Sequence, residues 1–176
     1  MSIKQRIILG IDPGLAHTGW GVIEQNGSKL TCLAYGCIET LPSDQLPMRL
    51  LKIYQQMSAV VNRYQPTCVS VETVWFGSNA QTAFATGQAR GAALAACGQE
   101  NMRYGEYSPK TIKKAIVGIG DADKGQVQYM VQSILRLSHI PHPDHAADAL
   151  AAAITFTTHN PFSLGTLELL KDKEVK

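Results

Sequence analysis

The sequence predicts an α/β domain built on a mixed five-stranded sheet with helices on both faces. Three observations carry that expectation. The chain opens with extended apolar segments around Asn26-Gly27, the strongest short-range signal for a hairpin. Strand-like and helix-like periodicities then alternate, as they do in units whose strands run parallel. At 176 residues and 45% hydrophobic content, the chain is long enough for one well-buried core and too short for two.

Each element has its own local reason. Residues 5–11 form a mostly apolar run stopped by Asp12-Pro13-Gly14, which reads as a central strand ending in a turn. Trp20–Gln25 and Lys29–Glu39 flank the Asn26-Gly27 turn, so three antiparallel strands lead the fold. From Pro47 to Tyr64, Leu50, Leu51, Tyr54, Met57, Val60, Val61 and Tyr64 recur at helical spacing, and Pro66 closes the helix. Thr67–Glu72 reads as a buried strand, residues 78–97 as an Ala-rich helix ended by Gly98, and Met102–Tyr107 as the fifth strand. Ser108-Pro109 opens a short helix that stops at Gly118-Ile119-Gly120. Further helices are expected from Asp123 to Arg136 and from about Asp144 to Asn160-Pro161. The domain is therefore placed at residues 1–160, followed by a mobile tail at 161–176.

Composition excludes several classes. Met1–Ile11 has no long hydrophobic core with a small-residue cleavage site and does not read as a signal peptide. No stretch reaches the roughly 18 apolar residues of a membrane span, since Asp148 interrupts the Ala-rich segment near the C-terminus. A soluble, cytoplasmic protein is expected. Cys32, Cys37, Cys68 and Cys97 match no zinc spacing and read as small core residues in a reducing compartment. Cys32 and Cys37 stand an odd number apart in one strand, which predicts opposite faces. The net charge of +2 does not announce nucleic-acid binding. Between Arg103 and Arg136, however, six basic residues face three acidic ones, a local excess that is most often only a solvated face.

Chemistry gathers at three places. Asp12 and Glu72 end strands that this topology sets side by side, at the edge where open α/β sheets collect ligands. His145 and Asp148 are three apart, hence on one side of the last helix, and are flanked by alanines. An acid in such a helix is costly to desolvate without a partner, and a divalent cation is a natural one. Alone, Asp12-Pro13-Gly14 is a turn and Glu72 a strand-end surface residue; the conjunction points to a metal site. Asp144 reads mainly as the N-cap of the last helix, with a metal contact as the alternative. His17, His139, His142 and His159 read as loop residues.

In order and spacing, Ile11-Asp12-Pro13-Gly14-Leu15, Val71-Glu72, Gly87-Gln88-Ala89-Arg90-Gly91, Val117-Gly118-Ile119-Gly120 with Lys124, and Asp144-His145-Ala146-Ala147-Asp148-Ala149-Leu150 resemble the RuvC family of Holliday-junction resolvases. The resemblance covers roughly residues 5–158. It implies an RNase H-like fold, a homodimer acting on four-way junction DNA in recombination and repair, and two Mg²⁺ or Mn²⁺ ions held by Asp12, Glu72, His145 and Asp148. It also admits a RuvAB-type branch-migration complex as a partner. Some family members carry Asp where this chain has His145. The chemistry agrees, because two-ion hydrolysis of phosphodiesters needs ligands that suit hard cations, and carboxylates do.

The resemblance further implies that Lys113 and Lys124 lie near the phosphate path and assist cleavage, with Lys110 and Lys114 as weaker phosphate contacts. The family's single aromatic lies three residues beyond the Glu, a spacing that selects Trp75 over Phe76. An exposed aromatic there can stack on an unpaired base, worth about 1–3 kcal/mol; the alternative is that Phe76 or both plug the core. Gly87 and Gly91, one helical turn apart, permit close approach of the sheet or, the favoured reading, of a partner subunit. Rival readings are an actin-like nucleotide-binding fold, a junction-binding protein without nuclease activity, and an RNase H-fold nuclease for another branched substrate. The first needs a second domain for which this chain has no room, and all four ligand positions being competent argues against the second.

Overall fold

The structure, a computed structural model, describes residues 5–74, 80–98 and 102–161. Trp75, Phe76 and the expected tail beyond residue 161 lie outside the described residues. Strands β1 (Gln5–Asp12), β2 (His17–Asn26) and β3 (Lys29–Glu39) form an antiparallel meander. Gly27 turns the hairpin at φ 61°, a conformation most side chains resist. Then come α1 (Leu46–Tyr64), β4 (Cys68–Glu72), α2 (Ala80–Ala96), β5 (Arg103–Tyr107), α3 (Pro109–Val117), α4 (Lys124–Leu135) and α5 (Asp144–His159). The sheet order is β3-β2-β1-β4-β5, with β4 parallel to β1 and β5 parallel to β4. The expected mixed five-stranded sheet is what forms.

Strand alternation sorts the core into two layers. Leu9, Ile11, Val22, Val69 and Val71 point to one face, where Ile53, Met57 and Val61 of α1 and Ala89 and Ala93 of α2 cover them. Ile8, Ile23 and Cys68 point to the other, beneath α5, with α3 and α4 outside it. From Ala146 to Thr157 almost all of α5 is buried, which its alanines allow by letting it settle close to the sheet. The sheet answers with missing side chains. A Cβ at Gly10 would overlap the Ala149 carbonyl, one at Gly19 the His145 carbonyl, and one at Gly21 would lie 2.6 Å from Leu150 Cδ2. Ser70, fully buried on β4, donates to the Ala152 carbonyl at 2.6 Å and leaves no orphaned hydroxyl beneath the helix.

Three sequence expectations change. β2 begins at His17, three residues before Trp20, because His17 pairs with Glu39 and Gly19 pairs with both Asp12 and Cys37. His17 is thus a strand residue, and His159 is the last residue of α5, not part of a loop. Cys32 and Cys37 do not face opposite ways. Val22 pairs with Ala34 but Ile23 with Cys32, so Leu33 is an extra residue whose bulge resets the alternation. Cys32 then shares a face with Ile23 and Cys37 with Gly19, both toward α5. All four cysteines are free thiols. Burial pushes the Cys32 and Cys37 thiols up to about 11 and Cys97 to about 12, which keeps them protonated and unreactive. Among the described residues no helix is long and apolar enough to cross a membrane.

Candidate metal centre

Asp12 is the last residue of β1, on the face that meets α5, and the parallel register Gly10↔Ser70 sets Glu72 at the same end of the neighbouring strand. α5 starts above this edge. The absence of a Cβ at Gly19 lets the His145 backbone rest on β2, which lowers the first turn of the helix onto the strand ends. One oxygen or nitrogen from each of Asp12, His145 and Asp148 lies within 4.8 Å of the other two, and all three side chains are partly buried. Glu72 stands outside that trio. It faces Asp148 across a cavity of about 240 Å³ lined also by Lys113, Lys124, Pro109 and Val127.

Electrostatics mark the cluster as incomplete by itself. Burial, then the charges of Asp12 and Asp148, push the Glu72 carboxyl up to about 7, against the pull of Lys113 and Lys124. Burial and the Asp12 charge likewise raise Asp148. Three carboxylates crowd one edge with too little positive charge beside them, an arrangement suited to divalent cations. His145 Nδ1 lies 2.8 Å from Asp12 Oδ2, and that hydrogen bond is the main reason its imidazole holds a proton above the usual histidine range. The His17 ring stacks on the His145 ring, centroids 5.3 Å apart and planes 8° from parallel. The sequence signal for His17 was weak, since only the unexpected early start of β2 brings it there.

The lysines divide. Lys113 and Lys124 line the cavity with Glu72 and Asp148, whereas Lys110 and Lys114 are exposed on α3 and do not line it. Lys124 Nζ lies 3.1 Å from Asp144 and 3.5 Å from Asp148. Desolvation alone would lower its pKa; the hydrogen bond to Asp144 and the charges of Asp148 and Asp144 raise it instead. Asp144 is not the N-cap. Pro143 occupies that position without a side-chain bond, and Asp144, the first helical residue, accepts from Lys124 and from Gln128 Nε2 at 3.0 Å.

Against known proteins, residues 8–156 match the family model of the crossover junction endodeoxyribonuclease RuvC. A RuvC crossover junction endodeoxyribonuclease of Treponema pallidum is 50% identical over 149 residues, 85% of this chain and 76% of that protein. One from Pectobacterium atrosepticum is 46% identical over 160 residues, 91% of this chain and 93% of its counterpart. The solved structure of Thermus thermophilus RuvC in complex with a Holliday junction substrate superposes with a TM-score of 0.82 at 35% identity, covering 88% of this chain and 94% of that one.

Proposed function

This chain belongs to the RuvC family of crossover junction endodeoxyribonucleases, with its RNase H-like fold, and we propose that it resolves four-way DNA junctions by metal-dependent hydrolysis of a phosphodiester in each of two symmetric strands. The observation that carries the reading is the trio Asp12, His145 and Asp148, within 4.8 Å of one another, beside a cavity where Lys113 and Lys124 face Glu72.

The donor set fits Mg²⁺ or Mn²⁺, since oxygen ligands suit both and one imidazole tilts the site toward Mn²⁺. Asp12, Glu72, His145 and Asp148 would hold two ions. Held there, such ions would supply activation of the attacking water and charge stabilisation of the leaving oxygen. Lys113 and Lys124 draw the phosphate into the cavity; its arrival gives Lys124, now shared between Asp144 and Asp148, a third anionic partner. The Asp12–His145 hydrogen bond and the His17 stack fix the imidazole's plane. With three anionic ligands for two divalent ions, the centre stays electrophilic.

Paired cuts call for a homodimer. The exposed face of α2 supports one: an added Cβ at Gly87 or Gly91 meets nothing within 4 Å, and Phe84 beside them is 67% exposed. Trp75, with Phe76 next to it, is the candidate to stack on a base at the opened crossover, and Lys110 and Lys114 are outer phosphate contacts. Four free thiols accord with a reducing cytoplasm, where a RuvAB-type complex would present the junction.

The test is to incubate the protein with a mobile synthetic four-way junction and Mg²⁺ or Mn²⁺, with Asp148→Asn as control. Paired nicks at symmetric positions are expected from the wild type alone. Cleavage of another branched or RNA-containing substrate in preference to the junction would overturn the reading.

A further inference from the structure

We infer that a second groove, bordered by the His17 and His145 rings and separate from the lysine cavity, is a phosphate-binding site for the DNA strand beyond the bond to be cut, with Arg49 as its principal cation. The inference rests on the junction-cutting reading above and extends it to a part of the surface that reading does not use.

Two concavities border the candidate metal centre. Asp148 borders the one with Lys113 and Lys124. His145, one turn earlier on the same helix, borders the other, a more open groove of about 380 Å³ lined also by Gly14, His17, Arg49, Gln81 and Thr86. A strand whose phosphate sits over Asp12, His145 and Asp148 therefore enters along one concavity and leaves along the other. The lysines serve only the first.

The lining chemistry of the second suits a polyanion. It offers a guanidinium, two imidazoles, a side-chain amide and hydroxyls, and no carboxylate is among the residues that line it, although Asp12 is hydrogen-bonded to His145 at its edge. Arg49 is half-buried, and among the described residues no carboxylate lies within ion-pair distance of it. It is also fixed. Its Nε donates to Thr40 Oγ1 at 2.8 Å; that hydroxyl donates to the Leu15 carbonyl at 2.5 Å, and the Thr40 N–H donates to the Ala16 carbonyl at 2.9 Å. Thr40 thus ties the guanidinium to the turn that directly follows Asp12. A rigid, unneutralised arginine beside the metal ligands is preorganised for a phosphodiester oxygen, whose fork geometry it matches.

The test is equilibrium binding of a labelled four-way junction in EDTA, which prevents cleavage, at salt concentrations from about 50 to 200 mM. Removing one cation that neutralises a phosphate lowers the slope of log affinity against log salt by about 0.7 to 0.9. Arg49→Gln is expected to lower the slope by that amount for each subunit engaged, because Gln keeps a donor for Thr40 and loses only the charge. Gln81→Glu puts a negative charge at the exposed rim of the groove and is expected to weaken binding at low salt without changing the melting temperature. An unchanged slope in Arg49→Gln, even with weaker binding, overturns the inference and leaves a packing role. Should Arg49→Gln not fold, unchanged affinity in Gln81→Glu overturns it alone. Failure of the wild type to bind the junction strikes the junction-cutting reading itself, and the inference with it.

Discussion

Removing one charge from the candidate metal centre should stabilise the metal-free protein while destroying its activity. Glu72 sets the magnitude. Its carboxyl is pushed from 4.5 to about 7 in the folded chain, by burial first and by Asp12 and Asp148 next. The folded state therefore holds this proton more tightly than the unfolded state. That contribution to stability is complete below the unfolded value and is lost as pH rises through the folded one. Above about pH 7, the ionised carboxylate opposes folding by about 3 kcal/mol at most, at 1.36 kcal/mol per pH unit. Gln has nearly the same shape and no charge. Glu72→Gln should therefore melt about 6 to 12 °C above wild type at about pH 8 in EDTA, taking 2–4 °C per kcal/mol for a chain of this size. The gap should close as the pH is lowered toward 4. Mg²⁺ or Mn²⁺ should narrow it as well, since the ions bind the intact site better and stabilise its folded state by mass action. The assay is thermal unfolding followed by circular dichroism across pH, with and without metal, beside junction cleavage by both proteins. A variant no more stable than wild type at pH 8, or equally more stable at every pH, would refute the electrostatic reasoning.

Asp12→Asn and Asp148→Asn should abolish cleavage yet retain junction binding in a gel-shift assay, because each removes a proposed metal ligand and leaves Lys113 and Lys124 in place; near-wild-type cutting would remove them from the site. His145 carries a proton to higher pH than usual through its bond to Asp12, and that proton must leave before a metal binds. At subsaturating metal, single-turnover cleavage should fall as pH drops, more steeply with Mg²⁺ than with Mn²⁺. His145→Asp should flatten that difference and His145→Ala should lose most activity with either ion. Gly19→Ala puts a methyl group into the His145 carbonyl; lifting α5 should lower stability by about 1–3 kcal/mol in urea unfolding and weaken Mn²⁺ binding by calorimetry, whereas a neutral result would mean the helix can shift freely. Trp75→Ala should slow cleavage of a fully paired junction more than of one already unpaired at the crossover; equal losses would indicate packing.

Local chemistry made much of this protein legible in its sequence. Asn26-Gly27 specifies a hairpin, Pro and Gly punctuate the helices, and period-2 or period-3.6 patterns mark which residues turn inward. Because side-chain direction alternates along a strand and repeats along a helix, Asp12, Glu72, His145 and Asp148 were recognisable as residues at strand ends and on one helix face. What the tertiary structure decided are matters of distance between segments far apart in the chain. The overlap that Gly19 avoids depends on where α5 settles, and the extra residue Leu33 becomes a bulge only when paired with β2, which is why strict alternation along β3 does not give the facing of Cys37. The stack of His17 on His145 and the link from Leu15 through Thr40 to Arg49 join residues whose neighbours in sequence say nothing of one another. Propensity and periodicity act over a few residues, whereas close packing and buried charge act over a few ångströms, and only folding converts one into the other.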